Sequence, residues 1–183
     1  MQMMYMKALI VYGTRGGSTK QIAEEMGKIF GEHGYAATVR NAKESGGIDV
    51  SDYDVIVAGR SVRALKWTRQ ATAFLKRNQK VLCGKKVALF WSGRAGDDPV
   101  DQGNVNRAMA KVTGAFPEIK PLRTAYFGSY TAFGSWNPVA RIANNVMKKE
   151  FEKRGIDVSR PVDRRDWDAI RQWAADVAAE AKA

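Results

Sequence analysis

The sequence is poor in the side chains on which many catalytic and metal sites depend. Its 183 residues include one cysteine, Cys83, and one histidine, His33. A single cysteine excludes an internal disulfide framework and a cysteine-rich metal site, and a single histidine excludes a metal site built on paired histidines. The glycines around His33 predict the end of a helix, where a solvated histidine is favoured over a catalytic one. We therefore expect no metal and no histidine-based triad.

Long hydrophobic runs are also absent. No stretch of about 18 apolar residues occurs, so no transmembrane helix is predicted. The first residues lack the apolar core and cleavage site of a signal peptide, which together with the lone cysteine leads us to expect a cytoplasmic protein. With 45% hydrophobic and 27% charged residues, the composition is typical of a globular chain. We see no linker or internal repeat and expect a single domain over residues 6–183.

Acidic residues are too few to balance the basic ones. Thirty lysines and arginines against nineteen aspartates and glutamates give a net charge of +11. Such a charge attracts nucleic acids, anionic lipids, acidic proteins or phosphorylated ligands. The basic residues are scattered, with no polybasic tail and no alternation with aromatic residues of the kind found in single-strand binders, so no nucleic acid is expected. A solvated basic surface and a patch facing an acidic partner both stay open.

Short apolar segments alternate with helical patterns along the chain. Predicted strands cover residues 7–12, 35–41, 54–59, 86–92 and 122–127. Predicted helices follow residue 19 and cover 68–79, 104–112 and 137–151, and a last helix is capped by Asp166. This order predicts an α/β fold, a doubly wound five-stranded parallel sheet with helices on both faces. Ligands of such sheets bind at the carboxyl ends of the strands, near the point where the strand order reverses.

The turn after the first strand has the composition of a phosphate-binding turn. It contains three hydroxyl residues, one arginine and two adjacent glycines: Thr14, Arg15, Gly16, Gly17, Ser18 and Thr19. Glycines allow close approach of the backbone to a ligand, and the helix start that follows offers free N–H groups. The turn matches neither the Walker A pattern nor G-x-G-x-x-G. A simple helix cap is the alternative, but the hydroxyls and paired glycines favour phosphate binding.

The segments after the third and fourth strands have glycines or small residues that expose backbone. After the third strand, Gly59 and Ser61 could present their backbone to a flat ligand and Trp67 could stack on it. Taken alone, this segment favours the simpler interpretation, in which Trp67 packs beneath a loop and the basic residues Arg60, Arg63 and Lys66 are solvated. After the fourth strand, Arg94 could offset negative charge on a reduced ligand ring. Residues 97–99 predict a turn and a helix start rather than an acid–base pair.

A segment rich in aromatic residues and glycine, residues 126–138, leads into a basic helix. Two interpretations stay open for it. It is either a substrate platform or membrane-surface contact, where Trp and Tyr lie well beside Lys and Arg, or a loop packed against the sheet.

Taken together, the three loops resemble those of the flavodoxins. Thr14, Gly17, Ser18 and Thr19 fall on the positions of the flavodoxin phosphate-binding turn, whereas Arg15 and Gly16 depart from the hydroxyl residues common there. The turn with its internal arginine, the segment Gly59-x-Ser61-Val62-Arg63 and the aromatic loop before a basic helix resemble one branch in particular. That branch contains the bacterial menaquinone-dependent protoporphyrinogen oxidases.

The resemblance implies one non-covalent FMN, with its phosphate in the first turn and its ring between the loops after strands three and four. The implied cofactor-binding residues are Thr14, Arg15, Gly16, Gly17, Ser18, Thr19, Ser61, Val62, Arg63, Trp67, Ser92, Gly93, Arg94, Ala95 and Gly96. A cation such as Arg63 or Arg94 near the ring would raise the reduction potential. FMN carries the redox chemistry, so no side chain is assigned a catalytic role.

The implied function is an FMN-dependent oxidoreductase that passes electrons between a reduced organic substrate, with protoporphyrinogen as the candidate, and a quinone or redox partner protein. A peripheral contact with the anionic inner face of a membrane fits the basic charge. Two alternatives stay open. One is an electron-carrier flavodoxin with no substrate of its own. The other is a nucleic-acid or regulatory module that has lost the flavin site, against which the intact turn argues.

Overall fold

Strands and helices alternate along the chain in the predicted order. The computed structural model describes residues 5–14, 17–63, 66–67, 69–93, 99–134 and 138–183. The strands are β1 (Met6–Gly13), β2 (Tyr35–Asn41), β3 (Val55–Arg63), β4 (Lys66–Trp67), β5 (Lys86–Gly93), β6 (Pro121–Phe127), β7 (Tyr130–Thr131) and β8 (Val162–Asp163). The α-helices are α1 (Ser18–Glu32), α2 (Arg69–Leu82), α3 (Pro99–Ala115), α4 (Pro138–Lys153) and α5 (Trp167–Glu180).

Five parallel strands form the main sheet in the order β2-β1-β3-β5-β6, which confirms the predicted fold class. Strand β1 pairs with β2 on one side and β3 on the other. The strand order therefore reverses between β1 and β3, and the binding crevice of such a sheet is expected at their carboxyl ends. The sequence did not predict β4, which turns back and pairs antiparallel with the end of β3.

Strand β1 shows why the central strands are apolar along their whole length. Its residues Ala8 and Ile10 belong to a core cluster shared with α1 and α5, whereas Leu9 and Val11 belong to a second cluster shared with α2 and α3. Successive side chains of a strand point to opposite faces, so a strand covered on both faces must be apolar at every position. Helices cover both faces of the sheet, as predicted.

Element ends differ from the prediction where polar residues continue an element. Strand β3 runs to Arg63 rather than stopping at Gly59, because β5 supplies backbone partners as far as Val62. Helix α3 begins at Pro99, five residues before the apolar periodicity that predicted it. The cap at Asp166 is confirmed, since its side chain accepts a hydrogen bond from the N–H of Ala169.

The chain between β6 and α5, residues 128–165, forms a small added layer that we call the insertion. Strands β7 and β8 pair antiparallel, and α4 packs on them through a cluster containing Met147, Phe151 and Val158. The insertion returns directly beside the end of β6. A Cβ on Gly128 would lie 1.8 Å from the carbonyl oxygen of Arg164, so only glycine allows this approach.

Candidate functional site

The start of α1 has the backbone geometry and charge that favour an anion. The N–H of Gln21 donates the first helical hydrogen bond, to the carbonyl of Gly17, at 3.2 Å. The N–H groups of residues 18–20 therefore have no acceptor within the helix. The first turn of α1 contains no acidic residue that would compete for them. Free N–H groups and the positive end of the helix dipole together favour a phosphate or carboxylate.

Gly17 shapes the turn that leads into this helix. Its backbone lies in the left-handed region, with φ of 88°, which disfavours any residue with a Cβ. Its N–H donates to Thr14 Oγ1 at 3.0 Å, which closes the turn. No described atom lies within 4 Å of the position that a Cβ on Gly17 would take. The predicted residues Arg15 and Gly16 lie outside the described residues.

A buried hydrogen bond joins the start of α1 to the end of β5. The hydroxyl oxygens of Thr19 and Ser92 lie 2.7 Å apart, and neither residue is exposed to solvent. Both were predicted as cofactor-binding residues, from two separate segments of the chain. The structure brings these two segments together, with one of the two hydroxyls donating to the other.

The ends of β3 and β5 lie side by side at the same edge of the sheet. Ser61 is opposite Ser92, and Val62 is opposite Gly93. Trp67 is opposite Val62 on the other side, in β4. The predicted ring-binding residues of β3 to β5 thus share one edge with the phosphate turn. Arg94, Ala95 and Gly96, which continue from β5, lie outside the described residues.

Two residues in the middle of β3 differ from what the sequence suggested. Arg60 belongs to the basic segment expected to be solvated, yet it is 3% exposed. It donates to Thr72 Oγ1 at 3.4 Å, and burial lowers the pKa of its guanidinium to about 7. Gly59 leaves room for a core side chain, because a Cβ there would lie 1.9 Å from the ring of Phe90. Its role is therefore in packing of the sheet.

Arg165 fastens the insertion to the first turn of α1. Its guanidinium donates to Asp163 at 2.6 Å and to the side-chain oxygen of Gln21, and it lies over the Trp167 ring at 4.6 Å. The hydrogen bond from Arg165 holds the pKa of the Asp163 carboxyl below its ordinary value. Only 6% of the Arg165 side chain is exposed. Sequence analysis missed this contact because Arg165 and Gln21 are 144 residues apart.

Ser129 is a further candidate residue, and it lies within the segment 126–138 that the sequence analysis singled out without assigning this side chain a role. It follows β6 at the carboxyl edge of the sheet and is 8% exposed. Within the part of the chain that the structure describes, its hydroxyl has no hydrogen-bond partner. A buried hydroxyl is normally hydrogen-bonded, so a ligand or a water at this edge would satisfy it.

The aromatic segment divides between core and surface. The Phe133 and Phe151 rings meet edge to face at 5.9 Å, which places Phe133 in the core of the insertion. Tyr130 is 42% exposed and lies beneath the guanidinium of Arg165. Trp136 lies outside the described residues. The packed-loop interpretation therefore holds for Phe133 and for Tyr126 and Phe127, which pack in the core of the sheet, and the surface interpretation stays open for Tyr130.

The strand order, with the turn before α1 at its reversal point, defines a doubly wound α/β protein. Residues 9–155 match the family model described as a flavodoxin domain. The chain belongs to this family. The sequence-based resemblance to flavodoxins is thereby confirmed, and with it FMN as the cofactor. The N–H groups of residues 18–20, which have no acceptor within the helix, and the space beside Gly17 that no described atom fills fit the phosphate of this cofactor.

Several solved structures share this fold. A flavodoxin from the domain Archaea is 15% identical, with a TM-score of 0.58, and the match covers 97% of this chain and 100% of that one. A Streptococcus pneumonia flavodoxin is also 15% identical, with a TM-score of 0.52 and coverage of 94% and 98%. Rubredoxin oxygen:oxidoreductase from Desulfovibrio gigas is 10% identical, with a TM-score of 0.54, and the match covers 96% of this chain but 36% of that one.

Proposed function

We propose that this chain is an FMN-dependent oxidoreductase that passes electrons between a reduced organic substrate, with protoporphyrinogen as the candidate, and a quinone or a redox partner protein. The observation that best supports FMN binding is that the start of α1 lies beside the adjacent ends of β3 and β5. A hydrogen bond between Thr19 and Ser92 joins α1 to β5. One side of this edge suits a phosphate and the other a flat ring. When bound, FMN supplies the centre that accepts and donates electrons.

The predicted residues divide between these two sides. The residues proposed to surround the phosphate are Thr14, Arg15, Gly16, Gly17, Ser18 and Thr19. The residues proposed to surround the ring are Ser61, Val62, Arg63, Trp67, Ser92, Gly93, Arg94, Ala95 and Gly96. In this assignment the chain binds and orients the cofactor, and the arginines beside the ring favour a negative charge on it.

The insertion supports the proposal that this protein is an enzyme with its own substrate rather than an electron carrier. It is fastened to β6 at Gly128 and to α1 through Arg165, and so it lies next to the proposed cofactor site. An electron shuttle requires only an exposed edge of its flavin. The net charge of +11 also attracts an anionic substrate, and a porphyrinogen carries carboxylates.

Two measurements test this proposal in sequence. Purified protein is mixed with excess FMN, desalted, and examined for flavin absorption, which we expect to remain with the protein. The loaded protein is then incubated with protoporphyrinogen and a quinone, and protoporphyrin fluorescence is expected to rise faster than autoxidation. Loss of flavin on desalting would contradict the cofactor site. Retained flavin without product above autoxidation would refute the substrate and leave an electron carrier, whose reduction by a partner should slow with added salt.

A peripheral contact with an anionic membrane is part of the proposal, and α4 provides its surface. Ile142 and Val146 lie one helical turn apart and are 68% and 65% exposed. Lys149 and Lys153 continue the same face at helical spacing and are also exposed. Exposed aliphatic side chains beside lysines suit the boundary of anionic headgroups and acyl chains. Within the described part of the chain, no helix is long and apolar enough to cross a membrane.

Vesicle sedimentation tests this contact. We expect binding to vesicles that contain phosphatidylglycerol and weaker binding to vesicles of phosphatidylcholine alone. Changing Ile142 and Val146 to serine should reduce binding to the anionic vesicles. Val81→Ser is the matched control, because Val81 is also an exposed aliphatic residue, on α2. Equal binding of all three proteins would exclude α4 as the contact.

A further inference from the structure

The two faces of the sheet differ in charge. Helices α1 and α5, which cover one face, carry six acidic and three basic residues. Helices α2 and α3, which cover the other face, carry one acidic and six basic residues. The net positive charge of the chain is thus unevenly distributed, and the side formed by α2 and α3 is basic.

Five of these basic residues have exposed side chains. We call them the basic face: Lys76, Arg77 and Lys80 on α2, with Arg107 and Lys111 on α3. On each helix, two of the five are four positions apart and so lie on the same side of it. Beneath them, Phe74 of α2 and Val112 of α3 belong to one core cluster, which places both helices on the same face of the sheet.

Within the described part of the chain, no carboxylate pairs with the basic face. The ion pairs between described residues lie on α1, α4, α5 and the segments beside them, and none involves α2 or α3. Arg77 donates to the hydroxyl of Ser45 at 3.1 Å, and Arg107 donates to the side-chain oxygen of Asn104 at 2.6 Å. Glu118, an exposed acidic residue after α3, bonds to none of the five. Their charges therefore remain available to an acidic partner.

We propose that the basic face docks an acidic electron-carrier protein, which exchanges electrons with the flavin. This inference rests on the proposed function and names the surface that its redox partner uses. Strands β3 and β5 lead into α2 and α3, so both helices begin at the edge of the sheet where the cofactor is proposed to bind. Lys76 lies seven residues after the start of α2, about 10 Å along the helix. A protein interface covers about 800 Å² on each partner, roughly 30 Å across, and so spans both the basic face and this edge.

The composition of the basic face favours a protein over a membrane or a nucleic acid. Among the described side chains, Val81, at 36% exposed, is the one large hydrophobic residue exposed on α2 or α3. Helices that bind membrane surfaces have an apolar side beside their lysines. Neither helix exposes an aromatic ring, among the same side chains, on which a base could stack. Charges without apolar neighbours suit a transient complex guided by electrostatic attraction.

The test uses a plant-type [2Fe–2S] ferredoxin, an acidic one-electron carrier, as the probe. Its binding to the FMN-loaded protein is measured by titration calorimetry. Lys76→Glu combined with Lys111→Glu reverses one charge on each helix, and should weaken binding at least about tenfold at low salt because attraction becomes repulsion. The corresponding double change to Gln should give a smaller loss. Wild-type binding should weaken as the ionic strength rises from about 0.01 to about 0.15 M.

Electron transfer provides a second readout. Two molecules of reduced ferredoxin, each losing one electron, reduce one FMN together with two protons from solvent. The rate of this reduction should fall in the double Glu variant in parallel with binding. Photoreduction by 5-deazariboflavin, which is neutral and needs no docking surface, should be unchanged.

A control with the same change in net charge separates docking from general repulsion. Arg141→Glu combined with Arg160→Glu reverses two exposed charges on the insertion, away from the basic face. Its affinity for ferredoxin should stay within about threefold of the wild type, since exposed charges outside an interface contribute little. Glu and Gln have helix propensities close to that of Lys, so the variants on α2 and α3 should fold.

The outcomes distinguish this inference from the proposed function. No binding of ferredoxin by the wild type at low salt, or an equal loss in the control, would overturn the docking surface. Tighter binding of duplex DNA or of vesicles containing phosphatidylglycerol, lost in the double Glu variant, would also overturn it in favour of that ligand. Docking requires no flavin, so a cofactor-free protein that binds ferredoxin but retains no FMN would contradict the proposed function alone.

Discussion

Replacement of Gly17 by alanine tests the proposed phosphate-binding turn without disturbing the packing of the rest of the fold. Gly17 has a φ of 88° and no described atom within 4 Å of a Cβ position, so alanine adds backbone strain without a steric clash. The left-handed conformation costs a residue with a Cβ about 1–2 kcal/mol. In the free protein the turn can relax to relieve this strain. FMN binding must then restore the native turn, so the cost reduces the affinity for FMN.

The magnitude follows from that cost. A penalty of about 1–2 kcal/mol corresponds to a roughly five- to thirtyfold weaker FMN complex. Gly34→Ala is the matched control, because Gly34 has a φ of 79° and equally open space, at the α1–β2 connection. It should lower the free energy of unfolding by a similar amount and leave FMN affinity unchanged.

The assay combines FMN titration, followed by quenching of flavin fluorescence, with denaturant unfolding of the cofactor-free proteins. Two results would refute the reasoning. One is an unchanged FMN affinity in Gly17→Ala, which would mean that the turn does not hold the phosphate. The other is an equal loss of affinity in Gly34→Ala, which would mean that any strained glycine weakens binding through general instability.

Two further predictions concern the insertion and the pairing of α1 with α5. Gly128→Ala should destabilise the protein by about 1–3 kcal/mol in thermal unfolding, because its Cβ would overlap the backbone of Arg164. Gly134→Ala, in the same insertion, meets no described atom within 4 Å and should leave the stability unchanged. Equal stability of the two variants would contradict the close approach of Gly128 to Arg164. Glu25 accepts a hydrogen bond from Arg171 at 2.7 Å, which lowers the pKa of its carboxyl from 4.5. A lowered folded-state pKa stabilises the protein above the ordinary value and loses that effect as the pH falls through the folded value. Glu25→Gln should therefore flatten the decline of unfolding free energy below about pH 4.5, and an unchanged pH profile would exclude this contribution.

The sequence alone determined the fold class of this protein, and it predicted the turn over residues 14–19 that we propose binds the phosphate. Both depend on patterns among residues that lie close together in the sequence. The apolar strand before Gly17 and the amphipathic helix after it specify a strand, a turn and a helix by hydrophobic periodicity. The alternation of five such strands with helices leaves few arrangements other than a parallel sheet.

The tertiary structure alone decided which distant residues meet at the site. Thr19 and Ser92 are 73 residues apart, and Arg165 and Gln21 are 144 apart, so no local pattern relates them. Register between neighbouring strands and the packing of α1 against the sheet bring each pair together. The same cause explains Arg60, whose charge predicts exposure although its place in a central strand buries it. Periodicity reports the surroundings of a residue along its own element, whereas a binding site is assembled from contacts between elements.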